Sequence, residues 1–138
     1  MKILIFGLPG SGKTWLAERL QKHLGCAWYN ADKIRSMAND WEFTDLARFR
    51  QANRMAALAN VELLFERTVI CDFVCPTDTL RLAFDADYTI WMDTIDSGRF
   101  EDTNKVFEIP EKVDLRIDKF IKEDEVMNVI NTITGVHT

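Results

Sequence analysis

The chain has 138 residues, of which 47% are apolar and 28% charged, and this size and composition are typical of one globular domain, taken here as residues 1–138. The formal net charge is −5, which disfavours a long nucleic-acid groove but leaves a local basic patch open. Three cysteines, Cys26, Cys71 and Cys75, lie in apolar surroundings and make no disulfide framework, so we expect a cytoplasmic protein. The first apolar run is too short to cross a membrane, and no membrane partner is expected.

Apolar strands and amphipathic helices alternate along the first half of the chain. Residues 3–6 are an unbroken apolar run, which predicts a central strand of a parallel sheet. A helix follows over residues 15–24 and ends at Gly25. The further predictions are a strand at 26–29, a short helix from 30–32 to 35–37, a long helix from 44–45 to about 67, and a strand at 68–73. The apolar stripe predicted for the long helix consists of Leu46, Phe49, Met55, Leu58, Val61, Leu64 and Phe65.

The second half continues the alternation, with one irregular stretch. We predict a short helix at 77–84, a strand at 88–92, a last strand at 113–117 and a closing helix from 122 to about 133, while 94–112 is expected to lack regular structure. The alternation predicts an α/β protein with a mainly parallel sheet of about five strands flanked by helices. Ligands of such sheets bind at the carboxyl ends of the strands.

The most specific motif is a phosphate-binding loop directly after the first strand. The eight residues Gly7, Leu8, Pro9, Gly10, Ser11, Gly12, Lys13 and Thr14 match G-x-x-x-x-G-K-[ST] between a strand and a helix, which predicts that the α/β fold is of the P-loop NTPase class. The glycines allow backbone NH groups to surround phosphate oxygens at a helix N-terminus. Lys13 is expected on the β and γ phosphates of ATP, and the Thr14 hydroxyl on Mg²⁺. The alternatives are a glycine-rich turn without a ligand and a nucleotide-binding protein that does not turn over.

A kinase also needs a group that orients the acceptor hydroxyl and cations that neutralise the moving phosphoryl group. Asp32 and Arg35 are three residues apart at the start of a short helix and are candidates for these roles. Asp72 ends an apolar strand in the Walker B manner and is a candidate for holding magnesium. The structural alternative for Asp32 and Arg35 is an acidic residue that favours the helix dipole, with an exposed arginine beside it. Asp93 follows the next strand in a similar way to Asp72, but a turn-forming role explains it equally well.

Further arginines and aromatic residues are candidates whose positions the sequence leaves open. Arg50 and Arg54 are four residues apart on the long helix and Arg48 is offset, so the three do not all face one way; solvated helix charges are the alternative. The rings in or near predicted loops are Trp41, Phe43, Phe100 and Phe107. Each ring suits stacking on a base, although core packing is the default role of an aromatic side chain.

Together these residues resemble the adenylylsulfate kinases, P-loop kinases that transfer the γ phosphate of ATP to the 3′ hydroxyl of adenylylsulfate. The segment from Asn30 to Arg35 is similar to the family's D-G-D-N-x-R, with Asn30 in place of the first Asp. This resemblance implies that Asp32, together with Lys13, is catalytic, that the magnesium-linked residues are Thr14, Asp32 and Asp72, and that Arg35 binds substrate.

Three later segments extend the resemblance to about residue 117. Phe43 and Thr44 with Arg48 and Arg54 resemble F-S-x-x-D-R-x-x-N-x-R-R, where Ala47 and Gln51 replace Asp and Asn. Residues 72–76 with Arg81 resemble S-F-I-S-P followed by D-R, although both serines are changed, the second to Cys75. Residues 100–110 are similar to F-T-G-I-D-x-x-Y-E-x-P, with Phe107 for Tyr. By this resemblance the substrate-binding set is Arg35, Phe43, Arg48, Arg54, Cys75, Arg81, Phe100 and Lys105.

The clearest departure from the family is a shortened lid between Asp93 and Phe100. Family members carry R-D-x-K-G-L-Y there, and a lid excludes water and supplies charge; Arg99 or Lys105 is a candidate for the missing cation. The resemblance implies a small-molecule substrate and ATP with Mg²⁺. A kinase of another small-molecule, nucleotide or nucleic-acid hydroxyl and a nucleotide-binding protein without efficient catalysis stay open, as does the oligomeric state, including a homodimer.

Overall fold

A computed structural model describes residues 1–135 of the chain. The strands are β1 (Lys2–Phe6), β2 (Ala27–Asn30), β3 (Val69–Phe73), β4 (Tyr88–Met92) and β5 (Leu115–Ile117). The helices are α1 (Lys13–Leu24), α2 (Ala31–Ala38), α3 (Asp45–Leu64), α4 (Asp78–Phe84), α5 (Glu101–Val106) and α6 (Val126–Thr134), with a short 3₁₀ turn at Glu123–Glu125 before α6. Within the described residues no helix is long and apolar enough to cross a lipid bilayer.

The strands form one parallel sheet in the order β2-β3-β1-β4-β5. Every residue of β1 and β3 is buried, as expected for central strands covered on both faces. One apolar cluster packs α1 and α6 against the sheet, and a second packs α3 and α4 against the opposite face. The predicted fold class is therefore confirmed. The parallel arrangement also brings the carboxyl ends of the strands to one edge.

Side-chain caps explain where three of the helices begin. Asn30 Oδ1 accepts a hydrogen bond from Lys33 N at 3.1 Å, which starts α2. Thr44 and Thr77 cap α3 and α4 in the same way. These caps satisfy NH groups that have no partner within the helix, so short polar residues in the sequence mark the helix starts.

The prediction that residues 94–112 lack regular structure is wrong at its centre, where α5 forms over Glu101–Val106. Two acidic residues, Glu101 and Asp102, occupy its first turn and Lys105 its last, which suits the helix dipole. The Asn104 side chain also binds both backbone groups of Gly98, at 2.8 and 3.0 Å. A helix this short depends on such tertiary contacts, which local sequence does not reveal.

The predicted apolar stripe of α3 is also wrong, because most of its members face solvent. Leu46 is 72% exposed and Leu64 79%. Of the predicted residues, Met55 is fully buried against the sheet, and the other apolar residues of α3 in that cluster are Ala52, Ala56 and Ala59. Small side chains let α3 lie close to the sheet, so packing density selected the alanine face over the more hydrophobic one. Large apolar side chains are left on the outer side of the helix.

Candidate active site

A cavity of about 1040 Å³ opens at the carboxyl edge of the sheet. Its walls come from the glycine-rich loop and the start of α1, the start of α2, the loop and helix start around 41–51, residues 72–76 after β3, and residues 99–103. Small-molecule sites occupy about 300–1,000 Å³, so the cavity is large enough for a nucleotide with an acceptor beside it. The segments that follow β1, β2, β3 and β4 all contribute to the lining, although Asp93 itself does not.

The backbone of the glycine-rich loop requires glycine at two positions. Gly12 caps the N-terminus of α1 with φ of 98°, in the left-handed region that side chains rarely adopt. A Cβ at Gly7 would lie 2.7 Å from the Met92 carbonyl oxygen of the neighbouring strand. The strand, loop and helix thus have the arrangement that the motif predicts, with the loop leading into the N-terminus of a 12-residue helix.

Lys13 extends from the first turn of α1 along the glycine-rich loop. Its Nζ donates a hydrogen bond to the Leu8 carbonyl oxygen at 2.9 Å. Burial lowers the pKa of Lys13 to about 8, while the carboxylates of Asp72 and Asp32 oppose this and Arg99 adds to it. A phosphate anion beside Nζ would favour the charged form in the same way as the two carboxylates do. The position is therefore matched to an anionic ligand.

Asp72 is the most constrained carboxylate of the cavity. It is 2% exposed, and its oxygens accept hydrogen bonds from Thr14 Oγ1 at 3.1 Å, Trp28 Nε1 at 2.7 Å and Asn30 Nδ2 at 3.2 and 3.3 Å. Burial raises the pKa of Asp72, and these hydrogen bonds oppose that rise, led by the one from Trp28. The network holds the carboxylate beside the Thr14 hydroxyl.

Asp32 and Arg35 lie on α2 and both line the cavity. Asp32 is exposed, near the first turn of the helix, so its carboxylate is accessible from the cavity. Arg35 is buried at 6% exposure and donates to the carbonyl oxygens of Asp40 and Glu42 at 3.0 and 2.9 Å. Arg35 therefore holds the loop after α2 in place as well as contributing charge to the cavity wall.

Aromatic rings and arginines also line the cavity. Phe43 is 55% exposed, with the Arg35 guanidinium 4.4 Å and the Arg48 guanidinium 5.9 Å from its ring centroid. Arg48 Nε also donates to the Phe43 carbonyl oxygen at 2.9 Å. Phe100 also lines the cavity and is 52% exposed, with the Arg99 guanidinium 5.1 Å from its ring centroid. Rings flanked by cations suit a planar, anionic ligand.

Three residues of the predicted substrate-binding set do not line the cavity. Arg54 donates to Gln51 Oε1 at 2.6 Å and to Asp40 at 3.1 Å. Arg81 donates to the carbonyl oxygens of Cys75 and Glu108 and lies over the rings of two phenylalanines, at 4.5 and 5.1 Å. Lys105, on α5, is also absent from the lining. The predicted residues that do line it are Arg35, Phe43, Arg48, Cys75 and Phe100.

The shortened lid region packs directly on the glycine-rich loop. Thr94 Oγ1 donates to the Ser11 carbonyl oxygen at 2.8 Å, and a Cβ at Gly98 would lie 3.0 Å from the Pro9 carbonyl oxygen. Asn104 clamps Gly98 from α5, as described above. Arg99 follows Gly98 and lines the cavity, whereas Lys105 does not. Of these two candidates for the missing lid cation, Arg99 is therefore the one that lies beside the loop.

Sequence reasoning did not single out two polar contacts that shape the site. Trp28 lies two residues before Asn30 in β2, and the register pairs Asn30 with Asp72. The two-residue period of a strand therefore puts the indole on the carboxylate's side of the sheet. Gln51, 2% exposed, donates to the Ala31 carbonyl oxygen at 3.2 Å and ties α3 to the start of α2. The contact of Trp28 could have been predicted from strand alternation. The contact of Gln51 depends on tertiary packing, which the sequence does not show.

The sheet order, the loop and the cavity define a P-loop kinase fold. The chain belongs to the AAA domain family, whose model matches residues 3–131. No curated protein matches the chain in sequence.

Solved structures share the fold over nearly the whole chain. The APS kinase CysC of Mycobacterium tuberculosis, in complex with AMPPNP and APS, is 16% identical with a TM-score of 0.79, covering 96% of both chains. Shikimate kinase from Aquifex aeolicus is 16% identical with a TM-score of 0.70, covering 98% of this chain and 97% of that one. A sugar kinase from Janibacter sp. is 16% identical with a TM-score of 0.74, covering 98% and 94%. Kinases of different acceptors thus share this fold.

Proposed function

We propose that the chain, as a single domain over residues 1–138, is an ATP-dependent kinase that transfers the γ phosphate to the 3′ hydroxyl of adenylylsulfate. The observation that carries the proposal is the composition of one cavity. Lys13, Thr14, Asp32, Phe43 and Phe100 all line it, and the Asp32 carboxylate lies near enough to Lys13 to raise the pKa of that ammonium. A donor phosphate and an acceptor hydroxyl bound there would meet beside Asp32.

The phosphate side fits a nucleoside triphosphate with a magnesium ion. The loop offers backbone NH groups and Lys13, and the oxygens of Thr14, Asp32 and Asp72 are the hard donors that Mg²⁺ prefers. Within residues 1–135 no group of three His, Cys, Asp or Glu side chains is placed to hold a metal ion by itself, so phosphate oxygens and water would complete the coordination. The ion, when bound, neutralises charge on the phosphates.

The transfer step follows from the residues around the cavity. Asp32 accepts the proton of the acceptor hydroxyl as its oxygen bonds to the γ phosphorus. The bond from that phosphorus to the β–γ bridging oxygen breaks, and the electron pair leaves with ADP. Lys13 and Arg99 stabilise the charge on the transferring group and on the leaving phosphate. Every atom and charge is accounted for by the two substrates and Asp32.

The acceptor side supports a substrate with a flat ring and negative charge. Phe43 and Phe100 present aromatic surface at the opening, and Arg35 and Arg48 lie close to Phe43. Adenylylsulfate combines a planar purine with an anionic phosphosulfate, so both kinds of contact would be used. Shikimate and gluconate have the negative charge but no aromatic ring to stack.

Competitive binding tests the choice of acceptor. Titration calorimetry of the protein saturated with Mg-ADP is expected to give adenylylsulfate a markedly higher affinity than shikimate or gluconate. Adenosine 5′-phosphate serves as a matched ligand that has the base without the sulfate. Equal or higher affinity for shikimate or gluconate would contradict the proposed acceptor, while saturation with Mg-ADP itself reports the nucleotide site separately.

A second candidate is a kinase of another hydroxyl compound. The observation that favours it is that Arg54 and Arg81, which the resemblance assigned to adenylylsulfate, bind protein groups away from the cavity. Cys75, at a position where the family has serine, lines the cavity with a positive φ of 44°. These changes alter the acceptor wall without altering the phosphate side. The same calorimetric panel separates the two candidates.

The indole of Trp28 supplies a test of how Asp72 is positioned. Trp28→Phe keeps the ring but removes the NH that donates to Asp72 at 2.7 Å. Loss of a group that orients a metal-binding carboxylate costs about 10–100-fold in metal affinity or activity. We expect the Mg²⁺ concentration for half-maximal kinase activity to rise about tenfold or more. Trp91→Phe removes an indole from β4 outside this network, and its Mg²⁺ dependence should stay that of the wild type; equal dependence in both variants would contradict the role of Trp28.

The low pKa of Lys13, about 8, predicts that nucleotide affinity depends on pH. Phosphate binds the charged form, so above pH 8 the bound protein retains a proton that the free protein has lost. Affinity therefore falls as pH rises through 8, and at about pH 9 we expect about one tenth of the affinity at pH 7. Calorimetry with a non-hydrolysable ATP analogue measures this. Lys13→Arg, which stays charged, should remove the dependence, and a wild type with equal affinity at both pH values would contradict it.

A further inference from the structure

The loop between α2 and α3 carries two aromatic side chains of the cavity wall that are only half buried. It runs over residues 39–44 without regular structure, and Trp41 and Phe43 both line the cavity. Their side chains are 52% and 55% exposed, and within residues 1–135 neither belongs to the two apolar clusters that pack on the sheet. Segments with few buried apolar contacts are held weakly by packing. The position of this loop therefore depends on its polar contacts.

Asp40 is the carboxylate at the centre of these contacts. It directly precedes Trp41 and is 8% exposed. Arg50 donates one hydrogen bond to each of its oxygens, from Nε at 2.7 Å and from Nη2 at 3.0 Å, and Arg54 Nη2 adds a third at 3.1 Å. The hydrogen bonding from Arg50 is the main cause that holds the pKa of Asp40 well below its usual range. Such a bidentate pair fixes direction as well as distance.

The backbone of the loop is held on both sides of Trp41. The Glu42 amide donates to Asp40 Oδ1 at 3.4 Å, so the carboxylate also binds the residue that follows the indole. The carbonyl oxygens of Asp40, Glu42 and Phe43 accept the hydrogen bonds from arginines described above. Trp41 thus lies between two anchored residues, and Phe43 is anchored through its own carbonyl group.

The two arginines that bind Asp40 connect the loop to the rest of the fold. Arg54 also donates to Gln51 Oε1 at 2.6 Å, and Gln51 Nε2 donates to the Ala31 carbonyl oxygen at the start of α2. Among the described residues that line the cavity, neither Arg50 nor Arg54 occurs. Both arginines therefore act on a bound molecule through the loop that they hold, and not by direct contact.

We infer that Asp40 is a positioning residue of the acceptor site, which holds Trp41 and Phe43 where a planar ring stacks. The inference rests on the proposed function, because that function assigns this part of the cavity to the acceptor. A wall that is already fixed loses less conformational freedom when a ligand binds. Without the carboxylate, both side chains must be ordered at the moment of binding, which weakens acceptor binding about tenfold. Thr14 and Asp72 lie outside this network, so nucleotide affinity should not change.

Asp40→Asn in the whole chain tests this inference, since the amide keeps the shape of the carboxylate but not the charge that the two arginines bind. Calorimetry of the variant saturated with Mg-ADP is expected to give adenylylsulfate about one tenth of its wild-type affinity. The affinity for Mg-ADP itself should equal that of the wild type. In initial-rate kinetics the KM for adenylylsulfate should rise while kcat is kept, as expected when binding alone is lost.

Glu62→Gln is the matched control, because it breaks a similar ion pair far from the loop. Glu62 lies near the end of α3 and is paired with Arg67. Its side chain is 11% exposed, against 9% for Asp40, and it does not line the cavity. Both substitutions should lower the melting temperature, but acceptor affinity should fall in Asp40→Asn alone. The comparison separates a loss of positioning from a general loss of stability.

Hydrogen exchange measures the state of the loop without any acceptor. In Asp40→Asn the backbone amides of residues 40–43 should exchange faster than in the wild type, and in Glu62→Gln at the wild-type rate. If circular dichroism shows that Asp40→Asn is unfolded, Arg50→Gln carries the same expectations, because it removes the bidentate partner from a side chain that is 42% exposed.

The results that would overturn the inference differ from those that would contradict the kinase. Wild-type acceptor affinity in a folded Asp40→Asn variant, an equal loss of affinity in Glu62→Gln, or unchanged exchange of residues 40–43 would each overturn it. A wild type without affinity for adenylylsulfate would contradict the proposed function and, with it, the acceptor role of the loop. The exchange rates would still show whether Asp40 fixes the loop.

Discussion

Lys13→Ala is expected to abolish most of the kinase activity and to weaken nucleotide binding. In the proposed complex the ammonium group is the cation that lies beside the phosphates, and its charge is favoured by Asp72 and Asp32. Removing one preorganised electrostatic contact to a transition state costs about 10²–10³-fold in turnover. Because Lys13 also contacts the ground-state phosphates, the dissociation constant for ATP should rise as well, and initial rates with calorimetry measure the two effects.

The control for this substitution lies on the same helix. Lys22→Ala removes an equal charge from an exposed position of α1, so turnover and ATP affinity should match those of the wild type. If Lys13→Ala retained both the turnover and the ATP affinity of the wild type, the assignment of the phosphate site to this loop would be contradicted. Loss of binding without a further loss of turnover would restrict Lys13 to holding the nucleotide.

Asp32→Asn is expected to reduce phosphoryl transfer strongly while ATP affinity changes little. The amide has the shape of the carboxylate but cannot accept the acceptor's proton, and general-base catalysis contributes about 10²–10⁴-fold. The side chain is exposed to the cavity, so the substitution should not disturb the fold. Single-turnover rates, measured beside ATP dissociation constants, separate chemistry from binding.

Asp85→Asn is the matched control, with the same change of charge and volume. Asp85 follows α4 in the left-handed conformation, φ 58°, which asparagine also tolerates, and it does not line the cavity. Its activity should equal that of the wild type. An unchanged single-turnover rate in Asp32→Asn would remove Asp32 from the transfer step, whereas equal losses in rate and in ATP affinity would indicate a magnesium role alone.

The features that sequence predicts best are those that depend on neighbouring residues. The glycine-rich loop is one unbroken motif, and β1 before it and α1 after it follow from their apolar patterns. The helix starts at Asn30, Thr44 and Thr77 follow from capping chemistry, which acts within three residues. Because the strands are parallel, their order of appearance is enough to bring the candidate residues to one edge of the sheet.

The features that sequence missed depend on tertiary contacts. Hydrophobicity predicted the wrong face of α3, because the side that packs on the sheet carries small residues such as Ala52 and Ala56, whose fit in the close-packed core outweighs hydrophobicity. The helix α5 is stabilised by two hydrogen bonds between the Asn104 side chain and the Gly98 backbone. Both residues lie in the stretch that the sequence pattern predicted to be irregular. Trp28 reaches Asp72 only because β2 and β3 pair in one register. The roles predicted for Arg54, Arg81 and Lys105 stay predictions, although the structure places all three away from the cavity lining.

The measurement that tests the central claim most directly is ADP release from Mg-ATP by the purified chain, with and without adenylylsulfate. The account predicts release that depends on adenylylsulfate, with one equivalent of the 3′-phosphorylated product formed for each ADP, and little release without an acceptor. No stimulation by adenylylsulfate would contradict the proposed acceptor. Binding of ATP without ADP release for any acceptor of the calorimetric panel would contradict the assignment of this cavity to phosphoryl transfer.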